Sequence, residues 1–146
     1  MEGDKCMNYT TKDVQVPVAN ENMDGSLYAP DNEDELVPGV VIFHGRGSQK
    51  LRYTDRAEEL AKSGFVTLVF SFRGCGESDG NFADQTPAMG LEDAKAGFDF
   101  LANQDNLDKK RIGVWGGSFG GYMAAILSKD REFDSLMLAA PALYKD

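Results

Sequence analysis

Ser118 stands at the centre of Gly116-Gly117-Ser118-Phe119-Gly120, a spacing that suits a serine hydroxyl used as a nucleophile. Before it, Arg111-Ile112-Gly113-Val114-Trp115 reads as a short buried strand. After it, Phe119 to Leu127 reads as a helix that is apolar almost all round. A strand that turns directly into a helix forces the residue at the turn into a strained backbone and lifts its side chain clear of the sheet. Glycines two before and two after the serine let the two elements approach where a side chain would collide. The first amides of the helix lack intrahelical partners, so they point N–H groups at the place where negative charge develops in an acyl transfer. The other use of a serine at such a turn is to cap the helix. The flanking strand, the apolar helix and the additional Gly121 favour the nucleophile.

A serine hydroxyl needs a base, and here the pattern changes. The chain has one histidine, His44, and none among the residues after Ser118. His44 follows the apolar run Val40–Phe43, which puts it at the same sheet edge as Ser118. No lysine falls at a strand's carboxyl end close to Ser118. Cofactor chemistry finds little support. Gly45-Arg46-Gly47-Ser48-Gln49-Lys50 begins like a dinucleotide-binding fingerprint but carries Lys50 where the third glycine belongs, and 74–79 misses at the same place. One histidine and two distant cysteines form no metal-ligand cluster. No cofactor and no metal are expected.

The elements that must position Ser118 alternate along the chain. Asp13–Val18 and Ser26–Ala29 read as strands around a turn at Asp24-Gly25. Val40–Phe43 is a continuous apolar run of the kind found in a sheet covered on both faces. Thr54 is placed to cap a helix through Ser63, with Gly64 ending it in the left-handed region. Phe65–Phe72 is the next strand. Thr86-Pro87 opens a helix whose apolar residues Leu91, Ala94, Phe98 and Leu101 recur at helical spacing. The strand at Arg111, the helix at Phe119 and a last strand at Leu136–Ala140 follow. Four buried strands separated by three helices imply an α/β fold, a mostly parallel sheet with helices on both faces. Active residues in such sheets gather at the carboxyl ends of the strands, where Ser118 lies.

At 146 residues the chain suits one domain, read as a polar segment over 1–12 and a folded unit over 13–146. Fifteen basic against 24 acidic residues give a net charge of −9, which argues against nucleic acid and anionic membranes as partners. The first thirteen residues are too polar for a signal peptide or an anchor, and the longest apolar runs are too short to span a bilayer. Cys6 and Cys75 form no disulfide framework and fit a reducing cytoplasm.

Two further loops share the edge of Ser118, His44-Gly45-Arg46-Gly47 and Arg73-Gly74-Cys75-Gly76-Glu77-Ser78. FHGRG at 43–47, FRGCGESDG at 72–80 and GVWGGSFGGYMA at 113–124 occur in order, each after an expected strand. With these motifs the sequence resembles the α/β-hydrolase superfamily, in its serine peptidase and esterase branches related to prolyl oligopeptidase and dienelactone hydrolase. The resemblance implies that Ser118 is the nucleophile and that the backbone N–H of Phe119 is one oxyanion donor. It implies a second donor in the loop after Gly45, the amide of Arg46 first and that of Gly47 next. The FRGCGESDG loop is then a structural turn, with Cys75 in a packing role. The family's order is serine, acid, histidine. The 28 residues after Ser118 reach only the next strand, so the loops that bear the acid and histidine of that pattern are absent, while some relatives place their acid where Asp146 stands, shortly after that strand. The resemblance gives the position of His44 a part in shaping the oxyanion loop, a structural, hydrogen-bonded role.

Three functions remain open at this stage. The chain is the nucleophile-bearing, amino-terminal part of a hydrolase of carboxylic esters or peptide-like amides, weak or inactive alone. Alternatively, it is a non-catalytic small-molecule-binding or interaction module. In the third reading it is one chain of a split hydrolase whose acid and histidine come from another. An unpaired strand at Leu136–Ala140 carries only apolar side chains, which suggests a homodimer formed there.

Overall fold

A computed structural model of the chain describes residues 6–32 and 35–144. Strands β1 (Tyr9–Val18) and β2 (Glu21–Pro30) form an antiparallel hairpin. Then come β3 (Val37–Phe43), helix α1 (Thr54–Lys62), β4 (Val66–Phe70), α2 (Pro87–Ala102), β5 (Leu107–Gly117), α3 (Phe119–Leu127) and β6 (Ser135–Ala139). The six strands make one sheet in the order β1-β2-β4-β3-β5-β6. β3 pairs in parallel with β4 and β5, and β5 with β6, while β2 runs antiparallel to β4. The expected mostly parallel α/β sheet is present, extended by the amino-terminal hairpin.

The core divides by sheet face. Phe43, Phe70, Phe72, Phe98, Phe119 and Leu127 belong to the larger cluster, which α2 and α3 cover. Val40, Ile42, Val69, Ala57 and Ala61 form the smaller one under α1. Burial of β3 and β4 on both faces explains their unbroken apolar sequence. α2 starts where its sequence says. The Thr86 hydroxyl accepts the Met89 N–H at 3.2 Å, and Pro87 occupies the first turn, where its missing donor costs nothing. α1 ends with Gly64 at φ 97, as expected.

Three local expectations are corrected. The hairpin turns at Ala19-Asn20, with Ala19 at φ 51, and Asp24-Gly25 lies inside β2. Asp24 serves long-range contacts instead. It takes the Lys50 ammonium at 2.9 Å, and its N–H donates to the Ser78 hydroxyl at 2.8 Å. Gly25 is needed for close packing, since a Cβ there would stand 3.1 Å from Val14 Cγ2 and 3.3 Å from the Val69 carbonyl. Thr54 does not cap α1, because a 3₁₀ turn over Lys50–Tyr53 runs directly into the helix and the Thr54 hydroxyl donates back to Leu51 at 3.2 Å. β1 begins at Tyr9, ahead of the strand start expected at Asp13.

β6 departs most from the expectation of four buried strands. All five of its residues are exposed, with Leu136, Met137 and Leu138 at 40–43%. Among the described residues it pairs only with β5. Residues 140–144 do not cover its free side. Pro141 packs on Gly121, the Ala142 N–H donates to Ser118, and the Tyr144 ring rests on Phe119 and Tyr122. An apolar, unpaired edge of this kind recruits a further strand. Sedimentation of the 146-residue chain should therefore show a dimer that Leu138→Lys dissociates. A monomer with or without that substitution would mean the edge is not used.

Candidate active site

Ser118 sits at the junction of β5 and α3 with φ 52 and ψ −117, the strained turn expected from the glycine spacing. Such a conformation costs about 1–3 kcal/mol and persists only where the surroundings over-determine it. Here they do. The Ser118 N–H donates to Ala139 in β6 at 3.0 Å, and its carbonyl accepts from Tyr122 at 3.1 Å and Ala142 at 3.0 Å. A Cβ on Gly116 would overlap the Gly120 carbonyl, and one on Gly120 would overlap the carbonyl of Phe43 and stand 2.6 Å from that of His44. Thus β5, α3 and the end of β3 meet backbone to backbone, and glycine is required at both places. The Ser118 side chain is exposed and makes no capping bond. Its hydroxyl is left free at the sheet's carboxyl edge, and the helix-capping alternative does not hold.

The loop after β3 lies alongside. A Cβ built on Gly45 would stand 3.6 Å from Ser118 Cβ. Among the described residues, neither the Arg46 nor the Phe119 amide donates to a backbone carbonyl. The Gly47 amide is directed at the Cys75 sulfur instead. Burial pushes the Cys75 thiol up and the Gly47 hydrogen bond opposes it, so this buried cysteine is held as a neutral packing group.

His44 is brought to the same edge but held away from catalysis. It is 1% exposed, with its ring edge-on to Phe72 at 4.9 Å between centroids. Nδ1 lies 2.7 Å from the Gly45 carbonyl, which it can approach only as an N–H donor. Nε2 is then the unprotonated nitrogen, and it accepts the Phe72 N–H at 2.9 Å. Burial lowers the His44 pKa from 6.5 to about 4. Both nitrogens are committed to fixing the β3 and β4 loops, as its expected structural role requires. Asp146 lies outside the described residues.

Sequence reasoning does not single out Asp93. It is 0% exposed on α2 and accepts from Arg73 Nε at 2.6 Å and from the Arg73 N–H at 2.9 Å. Arg73 is 5% exposed and also donates to Glu92 at 2.9 Å. Burial alone would lower the Arg73 pKa, but its bonds to Asp93 and Glu92 hold it above the ordinary value. The pair clamps the loop after β4 onto α2, next to the site. No group of histidine, cysteine or acidic side chains suited to a metal occurs among the described residues.

The sequence model of the family described as "Serine aminopeptidase, S33" matches residues 35–146, which include Ser118 and both neighbouring loops. The chain belongs to this family. The serine aminopeptidase match agrees with the fold, which is that of the α/β hydrolases. The quorum-quenching protein AidA of Acinetobacter baumannii (strain MDR-ZJ06) is 31% identical over 132 residues, covering 88% of this chain and 43% of AidA. The uncharacterized protein YcjY of Escherichia coli (strain K12) is 31% identical over 115 residues, 75% of this chain and 38% of that protein. Thus the chain spans less than half the length of these two relatives. Among solved structures, a dienelactone hydrolase-like promiscuous phosphotriesterase from metagenomic libraries superposes with a TM-score of 0.79 at 20% identity, over 94% of this chain and 62% of that one. A hypothetical protein from Pseudomonas aeruginosa gives 0.79 at 26% identity, over 89% and 42%.

Proposed function

We propose that this serine aminopeptidase-family chain carries the nucleophile and oxyanion hole of a hydrolase acting on carboxylic esters or peptide-like amides. The observation that carries the reading is Ser118 itself, a strained, exposed serine at φ 52 with the free amide of Phe119 directly after it. In the reaction the Ser118 oxygen attacks the acyl carbon, and the charge on the former carbonyl oxygen is taken by the N–H groups of Phe119 and Arg46. Losing one such donor costs about 10²–10³ in rate. The names of the relatives, a serine aminopeptidase family and a dienelactone hydrolase-like enzyme, support acyl transfer without choosing between ester and amide. The activity of AidA is not carried over, because less than half of AidA is matched.

The described residues hold no base for Ser118, since His44 is committed elsewhere. The 146-residue chain alone is therefore a weak catalyst, and the acid and histidine come from additional chain, covalently joined or separate. A cytoplasmic setting fits the unpaired Cys6 and Cys75, and no helix among the described residues is long and apolar enough to cross a membrane.

A fluorophosphonate probe tests this reading. Slow labelling of the 146-residue chain, abolished by Ser118→Ala, is expected, with p-nitrophenyl acetate turnover near the background of exposed side chains. Labelling that persists in Ser118→Ala would remove the nucleophile. Robust turnover lost in both Ser118→Ala and His44→Ala would make His44 the base. A non-catalytic binding module, the second reading, predicts no labelling at Ser118.

A further inference from the structure

The arginines of this acidic chain fall into two sets. Arg73, Arg111 and Arg131 each hold a carboxylate at 2.6–2.8 Å. Among the described residues Arg46, Arg52 and Arg56 form no ion pair. Arg52 and Arg56 share one cavity with Asp55 and Glu59, whose charges offset theirs. Arg46 does not line that cavity. It is exposed, on the residue after Gly45, and its guanidinium lies over the Phe82 ring at 5.4 Å from the centroid. Phe82 is itself 39% exposed and also faces Gly47, 3.7 Å from where a Cβ would stand.

From this arrangement we propose that Arg46, stacked on Phe82, is an anion-recognition site at the rim of the Ser118 site. It selects substrates that carry a carboxylate near the scissile acyl group. The inference rests on the hydrolase reading of Ser118 for which bond reacts, and on its own geometry for what binds. The Arg46 side chain makes no hydrogen bond or ion pair among the described residues besides this contact with the ring. The N–H groups on its edge stay free, in the planar fork that fits a carboxylate through two parallel hydrogen bonds. The aromatic contact also holds a long side chain in one place, so less rotamer entropy is lost when a ligand binds. In a chain of net charge −9, a cation with no ion pair among the described residues, on the residue after Gly45, favours an anion at this loop. The same loop residue serves twice, its amide toward the oxyanion and its side chain toward the substrate's charge.

The test compares monomethyl glutarate, an anionic ester, with its neutral counterpart dimethyl glutarate in NMR titrations of the 146-residue chain. The expected result is that the monoester shifts the Arg46 Nε–H together with the Phe119 amide and binds more tightly than the diester. Arg46→Gln keeps the backbone amide, and it should weaken monoester binding about two- to fivefold, the scale of a solvent-exposed ion pair, leaving the diester unchanged. Arg52→Gln should change neither. Ser118→Ala should preserve the monoester's advantage, which separates this inference from the nucleophile assignment that phosphonate labelling tests. Equal binding of the two probes, or a monoester advantage that survives Arg46→Gln, would overturn it. Monoester binding at Arg46 that leaves the Phe119 amide unshifted would overturn substrate recognition while leaving the Ser118 assignment standing.

Discussion

Asp93→Ala is expected to destabilise the protein by about 3–5 kcal/mol, enough to leave a typical domain close to unfolding. The carboxylate is 0% exposed and neutralises an arginine that is 5% exposed. Removing it strands a guanidinium whose remaining partners are Glu92 at 2.9 Å, the distant Met89 carbonyl at 3.5 Å and Glu21 at 3.8 Å. Two donors that pointed at Asp93, the Arg73 Nε–H and its backbone N–H, lose their acceptor in a place water cannot easily reach. Asp93→Asn keeps an acceptor and should cost less. The double change Arg73→Met with Asp93→Ala should recover part of the loss, because no uncompensated charge then stays buried. Urea denaturation of the three variants checks the order. A cost below about 1 kcal/mol for Asp93→Ala would mean that the loop after β4 relaxes and hydrates Arg73.

That pair also marks the limit of what the sequence discloses. The Ser118 turn was legible because everything that makes it is local: glycines at fixed spacing, an apolar strand before, an apolar helix after. The Thr86-Pro87 start of α2 was legible for the same reason. Arg73 and Asp93 are twenty residues apart, on a loop and a helix, and neither residue's neighbours announce the other. A cue did exist, since Asp93 precedes Ala94 on the buried stripe of α2, where a carboxylate needs a partner. The hairpin was misplaced because Asp24-Gly25 has the composition of a tight turn while serving Lys50, Ser78 and the packing of Val14. The real turn uses Ala19 at φ 51, a residue with no turn signature at all. β1 extends beyond its apolar run because ladder pairing continues into polar residues, and β5 extends back to Leu107 because that residue pairs with Val37 across a register shift.

His44 should give the protein a pH dependence that a substitution can erase. Its pKa is about 4 when folded, against 6.5 in the unfolded chain, so the unfolded state binds the extra proton first. Stability is therefore full above pH 6.5, falls as the pH drops toward 4, and takes no further loss from this group below that. A shift of this size corresponds to about 3 kcal/mol across the window, at 1.36 kcal/mol per unit. The loss has a structural meaning. A proton on Nε2 would face the Phe72 N–H, donor against donor, at the link that holds the β3 and β4 loops together. Those loops carry Arg46 and Phe82, so the rim of the Ser118 site should loosen over the same range. His44→Gln supplies a non-titrating acceptor for Phe72. Other groups titrate alike in both proteins, so the difference between their stabilities, from urea denaturation at several pH values from 7.5 to 4, isolates His44. The wild-type protein should lose about 3 kcal/mol more than the variant over that range. Parallel curves would show that His44 is already accessible to water in the folded protein, and would reopen it as a proton acceptor for Ser118.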